Sequence, residues 1–149
     1  MRKILNRIVI FLFTAIIFIT CNSDKNGLLN KLHQFDISES SSLTVDPTEF
    51  FEMDWHKIII LNEYQVLSEY VDLNYYKCSN IQCPDAENVL VLLSENRCIQ
   101  VYETNWIEVN YRWQGFPAKP IVIDRNDNIK LKIVKPSGAD GLYIIEKLQ

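Results

Sequence analysis

The sequence predicts an α+β domain: an antiparallel sheet of about six to seven strands with one main helix packed on one face. Three observations carry this. Short aliphatic runs recur between residues 57 and 148, and Gly, Pro, Asn and Asp punctuate them. One stretch, residues 63–74, instead carries Val66, Leu67, Tyr70, Val71 and Leu73 near helical spacing. Seventeen aromatics against four glycines in 149 residues supply the bulk for a core and argue against disorder.

The chain opens with Arg2, Lys3 and Arg7, followed by an apolar run from Ile8 to Ile19 of 12 residues. At about 1.5 Å of rise per residue, that run is shorter than the roughly 30 Å hydrocarbon core, which takes about 20 residues to span. A positive start, a short apolar core and then a polar stretch, Asn22 to Gly27, fit an export signal over residues 1–20. With Cys21 directly after Thr20, these first 25 residues or so resemble the precursor of a bacterial lipoprotein. The resemblance implies cleavage before Cys21 by signal peptidase II and a diacylglyceryl group on its sulfur. Phe18-Ile19-Thr20 stand where the family's common box has Leu first and Gly, Ala or Ser last. An uncleaved anchor and ordinary secretion remain as other fates of this segment.

Residues 21–49 read as a lipidated cysteine and a polar linker. Asn22–Asn26 serve as the leash, Leu28–Leu32 form a turn of helix or the start of a strand, and Ser38–Ser42 and Asp46-Pro47-Thr48 are loops. The globular domain is expected over residues 50–149, with an optional strand near His33–Ile37. Lys57–Leu61 is an apolar run of the kind buried on both sheet faces. Asn62 with Gln65 three residues on gives a capping-box start to the helix over residues 63–74. Strands are expected at Asn88–Leu93 and Cys98–Thr104, around a turn at Ser94–Arg97. Ile107, Val109, Tyr111 and Trp113 alternate with polar residues, so one face is apolar and the other wet. Ile121–Asp124 and Ile129–Val134 flank Arg125-Asn-Asp-Asn128, which reads as a hairpin, and Leu142–Leu148 is the last strand.

Without residues 1–20 the chain keeps 12 Lys and Arg against 19 Asp and Glu, a net charge of −7. Such an acidic domain is a poor candidate for nucleic acid. With Cys21 lipidated, Cys78, Cys83 and Cys98 remain, an odd number. Cys78 and Cys83 can form a disulfide if the intervening residues turn back, which Ser79, Asn80 and Pro84 permit. Pairing of Cys98 with either, or three reduced thiols, are the alternatives. No CxxC is present for redox chemistry and no Cys/His set for zinc, so no metal or cofactor is expected.

Asp54-Trp55-His56-Lys57 is the densest group of functional side chains. His56 could serve as a base near neutral pH with Asp54 beside it. The plainer reading packs Trp55 inward and leaves Asp54, His56 and Lys57 in water. The segment Phe51–Lys57 running into four aliphatics resembles one that recurs in small uncharacterised envelope lipoproteins, where an acidic residue often stands at the place of His56. That resemblance implies a similar strand, helix and sheet order and no known activity. Asp124, Asn126, Asp127 and Asn128 look like part of a calcium loop but lack its Gly and distal Glu, and read as a solvated turn. Trp106, Tyr111, Trp113 and Phe116 form an aromatic stretch, either core or a partner-binding surface.

These observations point to a lipid-anchored cell-envelope protein, on the periplasmic face or the cell surface. It would be a non-enzymatic module that binds another envelope protein or a small ligand. Two further classes stand beside it: an inhibitor or immunity-type lipoprotein acting on an envelope protein, and a small hydrolase or transferase using His56 and Asp54.

Overall fold

The computed structural model describes residues 22–105, 108–112, 119–138 and 141–148. Nine strands and three short α-helices lie along them: β1 (Asn22–Asp24), α1 (Gly27–Gln34), β2 (Ser41–Val45), α2 (Pro47–Phe51), β3 (Lys57–Leu61), α3 (Leu73–Tyr76), β4 (Glu87–Leu93), β5 (Cys98–Asn105), β6 (Val109–Arg112), β7 (Ile121–Asp124), β8 (Lys130–Lys135) and β9 (Tyr143–Leu148). The fold is α+β, but the strands form two sheets rather than one. One has five strands in the order β1-β5-β4-β3-β7, and the other has four in the order β2-β8-β9-β6. Most pairs are antiparallel, whereas β1 runs parallel to β5 and β6 parallel to β9.

The main core lies where the two sheets and the first two helices converge. Ile58, Ile60, Leu90 and Leu92 of the first sheet meet Leu131, Ile133 and Ile145 of the second, with Leu28 and Leu32 of α1 and Phe50 and Phe51 of α2. Phe50 lies stacked with Phe35 and edge-on to Phe51, with ring centroids 5.5 and 4.8 Å apart. The opposite pleat of β3 and β4 feeds a second core of Ile59, Leu61, Val89, Val91 and Leu93, capped by Leu67 and Cys83. The continuous apolar runs of β3 and β4 are thus explained, since both faces of those strands are buried.

Residues 22–49 belong to the fold, which corrects their reading as a linker. α1 places Leu28 and Leu32 on one side, four residues apart, and both are fully buried. The serine-rich segment is strand β2, paired from Ser41↔Lys135 to Val45↔Leu131. Asp46-Pro47-Thr48 is a helix start: the Asp46 carboxylate accepts the Thr48 N–H at 2.8 Å, and Pro47 takes the first turn of α2.

The expected helix over residues 63–74 is replaced by a sequence of turns. Gln65 Oε1 does accept the Asn62 N–H at 2.9 Å, the reciprocal half of a capping box. Tyr64, however, has φ +64°, which stops helix propagation. Val66 is then extended and bridges Gln82, before a 3-10 turn at Leu67–Glu69 and the single turn of α3. Nor do β7 and β8 form a hairpin. Among the described residues β7 pairs only with β3, while β8 lies between β2 and β9, so Arg125–Asn128 carries the chain from one sheet to the other. Both strands send aliphatic side chains into the same core, Ile121 and Ile123 from one sheet and Leu131 and Ile133 from the other.

Candidate functional site

The end of the first sheet where β3 begins gathers the residues that carry chemistry. β3 and β4 pair Lys57 with Leu93, β3 and β7 pair Lys57 with Asp124, and β4 and β5 pair Leu93 with Cys98. The segment Asp54–His56 leads into this end. The His56 N–H donates to the Leu93 carbonyl at 2.6 Å, and its carbonyl accepts the Arg125 N–H at 3.0 Å. These bonds extend the ladder one residue beyond β3 on both sides.

Arg125, which sequence reasoning treated only as a turn residue, is the most connected side chain here. Its guanidinium donates to the Asp54 carboxylate and, at 3.1 Å, to the Trp55 carbonyl, and it lies 5.9 Å from the Trp55 ring centroid. Trp55 is buried, with its indole N–H lacking a hydrogen-bond partner among the described residues. Beside them, Lys57 Nζ pairs with Asp124 at 3.1 Å across β3 and β7. The turn itself is built by Asp127, whose carboxylate accepts the Asp124 N–H at 3.0 Å.

Asp54 and His56 are therefore close in sequence but not joined in chemistry. The Asp54 carboxylate, 92% exposed, holds Arg125, and the exposed His56 ring makes no hydrogen bond to another described residue. A general base needs a partner that fixes its ring and a proton within reach. Here the backbone of His56 is fixed and its imidazole is open to water.

The cysteines also differ from expectation. Cys78 and Cys83 carry free thiols, so neither is bonded to the other or to Cys98. The reason lies in the residues between them. The Ile81 carbonyl accepts from Leu67 at 2.8 Å and the Cys83 N–H donates to Gln65 at 2.9 Å, which draws Ile81–Cys83 into an extended bridge. A disulfide needs Cα atoms about 4.4–6.8 Å apart, and an extended segment works against that. Burial, with the Glu87 carboxylate adding to it, pushes the Cys83 thiol up to about 12, and burial pushes Cys78 up to about 11. Both are protonated at neutral pH and weak as nucleophiles.

Of the aromatic stretch, Trp106, Trp113 and Phe116 lie outside the described residues, as does Cys21. Tyr111 packs against the main core, and burial raises the pKa of its hydroxyl, which lies beside Thr104. Its side chain is partly buried there.

Among the described residues no cluster of His, Cys, Asp and Glu could hold a metal, and no helix is long and apolar enough to cross a membrane. Compared with protein-family models, with curated proteins and with solved structures, the chain finds no match in any of the three.

Proposed function

We propose that this chain is a lipid-anchored protein of the cell envelope whose globular domain is a non-enzymatic binding module. The observation that carries this reading is the basic start and the short apolar run ending at Cys21, followed at once by a folded domain. The hydrolase or transferase reading finds little support, because Asp54 is committed to Arg125 and His56 stands free in solvent. Metabolic labelling with palmitate tests the anchor. Label is expected in the wild type and absent from Cys21→Ala; equal labelling of both, or none in either, overturns it.

A second reading, an inhibitor of a basic envelope protein, draws on the end of the first sheet opposite Asp54 and Arg125. There Glu63 follows β3, Asp85 and Glu87 lead into β4, and Tyr64 stands 64% exposed among them. A hydrogen bond to Glu63 and the nearby carboxylates push the Tyr64 hydroxyl up to about 12. A hydroxyl and several carboxylates on one surface suit a target rich in Lys and Arg. Pull-down from membranes separates the two readings. An inhibitor loses its partner when Glu63 and Asp85 are neutralised, whereas a module that binds through the aromatic stretch loses it with Trp113→Ala.

A further inference from the structure

The connection between β3 and β4 is far longer than joining two neighbouring strands requires. Leu61 and Val89 face each other across the pair, yet residues 62–86, 25 in all, lie between the strands. Hairpin loops commonly take about 2–5 residues, and much longer ones tend to carry function. Its two legs are bonded to one another. The Tyr64 N–H donates to the Cys83 carbonyl at 3.1 Å, and the Cys83 N–H to the Gln65 carbonyl at 2.9 Å. The Leu67 N–H donates to the Ile81 carbonyl at 2.8 Å, and the Ser68 N–H to the Asn80 side chain at 3.1 Å. Leu67 and Cys83, both fully buried, hold the segment on the second core, with Tyr70 and Tyr76 partly buried against it.

The connection runs the length of the sheet. Tyr64 stands at the end where β3 finishes, while Cys78 lies beside the Cys98 N–H, at the end where β3 begins. At about 3.4 Å per residue of strand, those ends are about 14 Å apart.

Its outward side is built of tyrosine and carboxylate. Four of the chain's seven tyrosines fall in it, and Tyr64 and Tyr75 are exposed. Tyr75 stands edge-on to Tyr76, with centroids 4.9 Å apart, which braces its ring. The segment carries Glu63, Glu69, Asp72 and Asp85, all exposed, against Lys77 alone. Six ion pairs join Lys or Arg to carboxylates among the described residues, and none of them uses these four acids. Glu63 and Asp85 instead share hydrogen bonds with each other and with the Tyr64 hydroxyl. Two carboxylates held together without a cation favour one arriving from outside.

Tyrosine beside Ser and Asn suits a binding loop, since each ring offers a large amphipathic area with few rotors to freeze. Such rings also stack with guanidinium groups. A standard interface takes about 20–30 residues a side, which this connection matches. Like charge sets the surface against a second copy of itself.

We propose that the outer surface of residues 62–86 docks an arginine-rich protein, a claim that rests on the second reading above and widens its contact from the sheet end to the whole connection.

Fluorescence anisotropy tests it, with a labelled peptide of eight Arg-Ser repeats titrated at low salt with the full chain in detergent. The wild type is expected to bind. Glu63→Gln with Asp85→Asn should weaken binding about tenfold, and Tyr75→Ala or Glu69→Gln, further along the connection, about threefold each. Glu39→Gln with Glu49→Gln removes the same charge from residues beside the second sheet and should change binding by less than about twofold. Tyr75 and Glu69 are exposed, so both of their variants should melt with the wild type by circular dichroism. Full binding by Tyr75→Ala and Glu69→Gln, with loss confined to the Glu63 and Asp85 pair, overturns the wide surface while the second reading stands. An equal loss from Glu39→Gln with Glu49→Gln shows that the peptide follows net charge alone, and overturns both. So does an absence of binding to the wild type.

Discussion

Asp46 concentrates several physical effects in one side chain. It caps α2 through the Thr48 N–H, also accepts from the Thr48 hydroxyl, and pairs with Lys130 at 3.1 Å, tying the helix to β8. The Thr48 hydrogen bonds, and then Lys130, lower its pKa from the ordinary 3.8 to about 2. A carboxylate depressed in the folded state stabilises fully above its unfolded pKa, and loses that contribution as pH falls through the folded value. Asp46→Ala should therefore cost about 1 kcal/mol at pH 7, as other lost caps do. The gap between wild type and variant in urea melts should shrink between pH 4 and pH 2. A gap that stays constant across that range would show that the cap does not act through charge. At Cys83 the expectation is chemical. Its thiol donates to the Glu87 carbonyl at 3.1 Å and is fully buried. Native protein at pH 7.5 should leave Cys83 unalkylated by iodoacetamide while the denatured chain reacts, as peptide mapping would show.

At the scale of elements, what the sequence disclosed depended on where each strand finds its partners. β3, β4 and β7 were readable because their burial is written locally, as continuous or alternating aliphatics between turns. The β4–β5 turn was readable for the same reason, and it closes with a 2.9 Å bond from the Ser94 N–H to the Arg97 carbonyl. β2 was not, because only Val45 of its five residues is buried and its partner is β8, far along the chain. α1 was barely legible: Asn26 makes no side-chain cap, and eight residues offer two turns of pattern. The helix over residues 63–74 was over-read because periodicity cannot register a left-handed Tyr64. At the site, Asp54 and His56 stood out by proximity, whereas the Arg125 contact that engages Asp54 joins residues 71 positions apart. The contribution of α1 can be measured. Leu28→Ala removes a fully buried side chain and should cost about 2–5 kcal/mol in denaturant melts. A loss below about 0.5 kcal/mol would return residues 22–34 to the status of a linker.

The whole molecule is a fold of distant pairings. Ser41 meets Lys135, Asn22 meets Gln100, and β3 takes β4 on one side and β7 on the other. Closing such loops costs entropy before contacts repay it, so proteins of this kind fold in milliseconds to seconds rather than microseconds. Stopped-flow refolding of residues 22–149, followed by tryptophan fluorescence, should give a main phase slower than about 1 ms. A microsecond phase carrying the full amplitude would contradict the pairing pattern.

One consequence of the second sheet concerns the order in which the chain is made. Its strands stand in the order β2-β8-β9-β6, so among the described residues the last strand occupies an inner position and is the only neighbour of β6 in that sheet. Until Tyr143–Leu148 have been synthesised, β6 has no partner and β8 lacks one of its two. That side of the domain therefore stays open until the final strand is in place, so the second sheet closes only when the whole chain is available to it.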